Sequence, residues 1–96
     1  AAAQSCQRAV EFEQLVAANA GLDEVRRTLG EAEQSAKIAV RGDGTWAALL
    51  GGLQSVRLAL EADDARAARV GIDVVRAECL RVRGLAALED EAVVGL

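Results

Sequence analysis

The middle of the chain reads Arg41-Gly42-Asp43-Gly44-Thr45-Trp46, and this stretch is the strongest turn signal in the 96-residue sequence. The two cysteines, Cys6 and Cys79, lie at equal distances on either side of it, with their midpoint between Gly42 and Asp43. Two further breaks in the pattern, Gly21 and Asp64, mirror each other about the same midpoint. If the chain folds back at this turn, Cys6 and Cys79 come to lie side by side. We therefore predict a Cys6–Cys79 disulfide.

The cysteine pair also bears on the compartment. Closing so long a loop stabilises a fold by roughly 4 kcal/mol in the chain-entropy model. Disulfides persist in oxidising surroundings, so the prediction implies export to the cell envelope or outside the cell. The opening Ala1-Ala2-Ala3-Gln4 agrees with a processed end, although an expression scar has the same composition. The alternatives are two buried free thiols in a cytosolic bundle, or a lipidated Cys6 that would leave Cys79 unpaired.

The rest of the chain predicts helices only. It contains no proline, is rich in Ala, Leu, Arg and Glu, and shows no alternation with the period of a strand. Gly21 and Gly42 are expected to end the first two helices, while Thr45 and Asp63 are expected to cap the last two. The predicted helices cover about 4–20, 22–41, 46–62 and 64–84, with a possible short helix over 85–94.

Four helices with short connections favour a single all-α domain, an up-down-up-down four-helix bundle with a short C-terminal helical tail. The alternative is a hairpin of two long helices, which the cysteine spacing suits equally well. In each predicted helix the apolar residues share one face. The core candidates are Cys6, Ala9, Val10, Phe12, Val16 and Ala20; Leu22, Val25, Leu29, Ala32, Ala36, Ala39 and Val40; Trp46, Leu49, Leu50, Leu53, Val56 and Leu60; and Ala68, Gly71, Ile72, Val75, Cys79 and Val82.

Composition argues against several functions. The chain has no histidine, which is the usual general base and a common metal ligand, and two cysteines are too few for an all-thiolate zinc site. Phe12 and Trp46 are the only aromatic residues and the net charge is −4, so nucleic-acid binding is not expected. No apolar run has the length of a membrane span. We expect no metal, no cofactor and no catalytic residues.

Five residues remain as candidate binding residues. Glu13 interrupts the apolar face of the first helix. This position predicts a general acid or a ligand contact in the bundle interior, or else an ion pair with an arginine of the fourth helix or a face rotated slightly to the rim. Arg69, Arg76 and Arg83 recur every seven residues, a pattern typical of a solvated face and also able to hold an anionic ligand or partner. Trp46 is expected to close one end of the bundle, or to be a hot spot for a docked protein.

Small residues along the third helix are a further feature. Ala48, Gly52, Ser55 and Ala59 form a row over which another backbone can approach closely, either inside the bundle or on a partner. The sequence therefore favours an exported, non-catalytic protein-interaction module that binds a partner or itself as a dimer. The alternative is a carrier that holds a small apolar ligand or lipid between its helices, and an enzyme is the third hypothesis.

Overall fold

The computed structural model describes the backbone of residues 1–94 and the side chains of residues 1–83. Within these residues the chain forms helices and no strand, as predicted. The helices are α1 (Ala2–Ala17), α2 (Leu22–Gly42), α3 (Ala47–Glu61) and α4 (Ala65–Val94), with a 3-10 turn over Gly44–Trp46. The chain is therefore a four-helix bundle rather than a hairpin of two long helices.

Each helix packs against its neighbours in sequence, and α4 closes the bundle against α1. The α1–α2 and α3–α4 pairs are the most closely packed, whereas α1 and α4 touch least. Short connections make consecutive helices antiparallel, which gives the predicted up-down-up-down arrangement. The Cα atoms of Cys6 and Cys79 are 5.7 Å apart with the sulfur atoms at bonding distance, so the predicted pairing is confirmed.

The core lies mainly where the stripes of α2 and α3 predict it. Its most deeply buried large side chains, Leu29, Leu49 and Leu53, come from these two helices. The predicted buried face of α1 was wrong, because the helix is rotated about its axis. Val10 and Val16, which were expected in the core, are 41% and 47% exposed. Ser5 is fully buried instead, because its hydroxyl donates a hydrogen bond of 2.8 Å to the carbonyl oxygen of Ala32 on α2. This bond helps to hold α1 in an orientation that differs from the one hydropathy alone favours.

The ends of α1 and α3 have the same backbone geometry. Asn19 and Asp63 adopt left-handed conformations with φ of 54° and 53°. In each case the next amide donates back five residues, from Ala20 to Leu15 and from Asp64 to Ala59. These are Schellman motifs, which satisfy carbonyl groups that a helix end leaves unpaired.

Three of the predicted caps were therefore wrong. Gly21 precedes α2 rather than ending α1, because Asn19 already supplies the left-handed residue. Asp63 ends α3, and Asp64 caps α4 by accepting a hydrogen bond of 3.1 Å from the amide of Ala67. Thr45 does not cap α3, since it lies inside the 3-10 turn and its own amide donates to Asp43 Oδ1 at 2.9 Å.

The last helix differs from the prediction in length. α4 continues without interruption through Gly84, so the predicted end at this glycine and the separate short helix over 85–94 were wrong. The C-terminal tail is helical, but it is an extension of α4. Helix propensity explains this, because a single glycine costs only about 1 kcal/mol in a helix interior.

The small residues of α3 serve packing inside the bundle. Gly52 and Ala59 are buried, whereas Ala48 and Ser55 are exposed. Gly52 lies against Gly71 of α4: a Cβ built on Gly71 would approach the Gly52 carbonyl oxygen to 3.1 Å and Val56 Cγ2 to 2.8 Å. The two glycines thus allow the backbones of α3 and α4 to meet closely, as the spacing of the row predicted.

Candidate functional site

A cleft opens between α1 and α4, the pair of neighbouring helices that packs least closely. Its volume is about 320 Å³, which falls in the range of small-molecule sites. The cleft is deep: Leu29 of α2 and both Leu53 and Val56 of α3 line it, so all four helices contribute to its walls.

Apolar side chains make up most of the walls. α1 contributes two turns of helix, and α4 contributes three turns on the opposite side. The apolar residues of these two helices that line the cleft are Ala9, Val10, Phe12, Ile72, Val75 and Leu80. A lining of this kind favours an apolar molecule or an apolar portion of one.

The disulfide fixes the position of the two walls. Cys6 and Cys79 both line the cleft, and the bond between them joins residues 73 positions apart in the chain. A covalent link holds α1 and α4 together where side-chain packing between them is sparse. The cleft and the disulfide are therefore one structural unit.

Glu13 and Arg76 form an ion pair across the cleft. The Arg76 Nη2 and Nε atoms lie 2.7 Å and 2.9 Å from Glu13 Oε1, and the Glu13 side chain is 28% exposed. Glu13 therefore lies at the rim rather than in the middle of a buried face, a consequence of the rotation of α1. The predicted ion pair with an arginine of the fourth helix is confirmed.

The three arginines that recur every seven residues along α4 differ in whether they line the cleft. Arg76 and Arg83 line the cleft, one on each side of Leu80, whereas Arg69 lies outside it. Among the side chains of residues 1–83, no carboxylate comes within 4 Å of Arg69 or Arg83. The structure thus brings three predicted candidates, Glu13, Arg76 and Arg83, to one site.

Trp46 lies apart from the cleft, at the end of the bundle where the 3-10 turn packs against α2. Its side chain belongs to the core, with only 9% of the residue exposed. The guanidinium of Arg81 covers the ring at 3.8 Å from its centroid, a cation–π contact. Arg81 also donates to the carbonyl oxygen of Thr45 at 2.9 Å, so it fastens α4 to the turn.

Hydrogen bonds within this turn lower the pKa of Asp43. The main cause is the hydrogen bond from the backbone amide of Thr45, followed by a side-chain hydrogen bond from Thr45 and by the nearby positive charge of Arg81. Because these groups stabilise the carboxylate, Asp43 keeps the turn closed in its ionised form.

Sequence reasoning missed two features of the molecule. Glu33 is buried and accepts a hydrogen bond of 2.6 Å from Arg57 Nε, an ion pair between α2 and α3 that no motif announces. The position of the cleft was missed as well, because it depends on the tertiary packing of α1 against α4. The sequence indicated only that a gap between the helices could hold an apolar ligand, without locating it.

Comparisons with known proteins find no family model, curated protein or solved structure that matches this chain. Within the described residues, no helix combines the length and hydropathy needed to cross a membrane. In the same part of the chain, no three carboxylate or thiol groups gather as a metal site would require. The cleft is therefore the feature on which a functional proposal rests.

Proposed function

We propose that the protein is a non-catalytic binding domain that holds a small apolar or amphiphilic molecule in the cleft between α1 and α4. The observation that carries this proposal is the depth of the cleft. Its floor is formed by Leu29, Leu53 and Val56, which belong to the helices on the far side of the bundle. A shallow surface groove for a partner helix does not need such depth, whereas an inserted hydrocarbon chain does.

The cleft also fits such a chain in length. The described part of its α4 wall extends from Ile72 to Arg83, which is about 16 Å at the rise of an α-helix. A ten-carbon chain is shorter than this wall and fits along it. Burying about nine methylenes at roughly 0.8 kcal/mol each contributes about 7 kcal/mol of favourable free energy, from which the cost of association is subtracted.

Decanol binding measured by calorimetry tests the proposal. Ile72→Trp fills the cleft with a larger side chain and should abolish binding while the protein remains folded. The matched control is Val70→Trp, on the same helix but outside the cleft and 64% exposed in the native protein. It should bind decanol like the unmodified protein. Decanol binding that persists in folded Ile72→Trp, or no binding by the unmodified protein, contradicts the proposal.

Export is part of the proposal. It is supported by the pairing of Cys6 with Cys79, which a reducing cytosol would not maintain. Alkylation of thiols in protein isolated without reductant from its own source should leave both cysteines unmodified. Two alkylated cysteines would place the protein in a reducing compartment.

A second candidate function is the protein-interaction module, which would use exposed apolar side chains outside the cleft. Ile38, Leu58 and Val70 are all more than half exposed, and they lie on three different helices. Sedimentation of the purified protein at increasing concentration tests self-association. A dimer that dissociates in Leu58→Lys would favour this function, and a monomer at all concentrations would leave the cleft as the binding surface.

A further inference from the structure

We infer that the molecule held in the cleft is a long-chain carboxylate, with its hydrocarbon tail along the apolar walls and its head group at Arg83. This inference rests on the proposed function and specifies the ligand class for the same site. It is carried by the charge at the rim, which differs in sign from the charge of the whole chain.

The protein has a net charge of −4, yet among the side chains of residues 1–83 the charged ones that line the cleft are two arginines and one glutamate. Two nitrogen atoms of Arg76 lie within 3 Å of Glu13 Oε1, so the charges of these two side chains offset each other. Of the described charged side chains at the rim, Arg83 is then the one with no described carboxylate within 4 Å. An anionic head group at this rim is therefore attracted, whereas a cationic one is repelled.

The chemistry of arginine selects a carboxylate. Its planar guanidinium presents parallel N–H groups that match the two oxygens of a carboxylate. The exposed position of Arg83 leaves the charged head in water, while the tail passes Leu80 and reaches the floor of the cleft at Val56. A fatty acid has these two parts, a charged head group that remains in water and a hydrocarbon tail that is buried.

The order of residues along α4 sets the direction of the chain. Within the described part of the α4 wall, Arg83 and Cys79 lie toward the C-terminal end, and Ile72 lies at the other end. The head group therefore lies near the disulfide, and the terminal methyl group lies near Ile72. A ligand in this orientation contacts both helices that the disulfide joins.

Calorimetric titrations with decanoate and decanol at pH 8 test the inference, because the two probes share a tail and differ in charge. Decanoate should bind the unmodified protein about tenfold more tightly than decanol, as expected for a partly exposed charge-assisted hydrogen bond. Arg83→Gln should remove this difference and leave decanol binding unchanged. The matched control, Arg69→Gln, removes an arginine of the same helical row outside the cleft and should bind both probes normally.

The salt dependence gives an independent readout. Decanoate affinity should fall as ionic strength rises, and decanol affinity should not. Equal affinities of the two probes, together with an unchanged Arg83→Gln, would overturn the carboxylate assignment and leave the proposed function standing. Failure of both probes to bind would overturn the proposed function itself. Loss of decanoate binding in Arg69→Gln would show that the anion binds elsewhere on α4.

Discussion

Replacing Gly71 with alanine is expected to destabilise the bundle, although alanine is the better helix former by about 1 kcal/mol. The added methyl group would lie 2.8 Å from Val56 Cγ2, 3.1 Å from the Val56 amide nitrogen and 3.1 Å from the Gly52 carbonyl oxygen. The last two are backbone atoms of α3, which can yield only if the whole helix moves. Overpacking of this kind costs about 1–3 kcal/mol.

The matched control is Gly51→Ala. Gly51 is exposed in the interior of α3, and a Cβ built there has nothing within 4 Å. Only the gain in helix propensity applies, so this substitution should stabilise the protein by about 1 kcal/mol. The same chemical change in two helical glycines is therefore predicted to have opposite signs.

Urea denaturation followed by circular dichroism measures both variants. Overpacking of about 1–3 kcal/mol, less the propensity gain of about 1 kcal/mol, leaves a net loss in the free energy of unfolding of up to about 2 kcal/mol for Gly71→Ala. In a chain of this size a loss of about 2 kcal/mol corresponds to a fall in Tm of roughly 8–16 °C. If Gly71→Ala stabilises the protein as much as Gly51→Ala does, the close approach of α3 and α4 is wrong.

Four further predictions concern Trp46, the disulfide, the junction between α3 and α4, and the carboxyl group of Asp43. Trp46→Ala should cost about 3–5 kcal/mol of stability, measured by urea denaturation, because the ring is buried; a loss below 1 kcal/mol would contradict its role in the core. Reduction of the disulfide should remove about 4 kcal/mol, and an unchanged melting curve after confirmed reduction would argue against it. Asp63→Gly should raise the free energy of unfolding by about 1 kcal/mol, because glycine adopts the left-handed conformation of residue 63 without strain. Asp64→Gly should not raise it, because the substitution removes the hydrogen bond that caps α4. The pKa of Asp43 is lowered, so its ionised form stabilises the folded protein above about pH 4, and this stabilisation is lost as the pH falls through the folded-state pKa. An NMR titration of the Asp43 carboxyl measures this pKa. An ordinary or raised value would refute the turn geometry.

The fold could be predicted from the sequence because its determinants are local. The absence of proline, the apolar stripes of α2 and α3 and the turn around Gly42 depend only on residues near one another in the chain. The disulfide followed from symmetry about that turn. The predicted helix ends failed where an Asn or Asp took the left-handed position that is usually given to glycine, as at Asn19 and Asp63.

The site was predicted only in part because its shape depends on tertiary packing. An ion pair of Glu13 with an arginine of the last helix was one of the predicted alternatives, and the structure identifies that arginine as Arg76. The cleft beside them depends on the rotation of α1, which the buried hydrogen bond of Ser5 to α2 helps to fix. A hydropathy pattern does not contain that bond, so it placed Val10 and Val16 in the core.

The central claim, that the cleft binds a hydrocarbon chain, is tested most directly by NMR on protein labelled at isoleucine methyl groups. The chain has two isoleucines: Ile72 lines the cleft, and Ile38 is 58% exposed on α2 and lies outside the cleft. Titration with decanol should shift the Ile72 methyl signal and produce nuclear Overhauser contacts from it to the ligand, while the Ile38 signal stays in place. An unmoved Ile72 signal at saturating decanol, or contacts at Ile38 alone, would contradict the account.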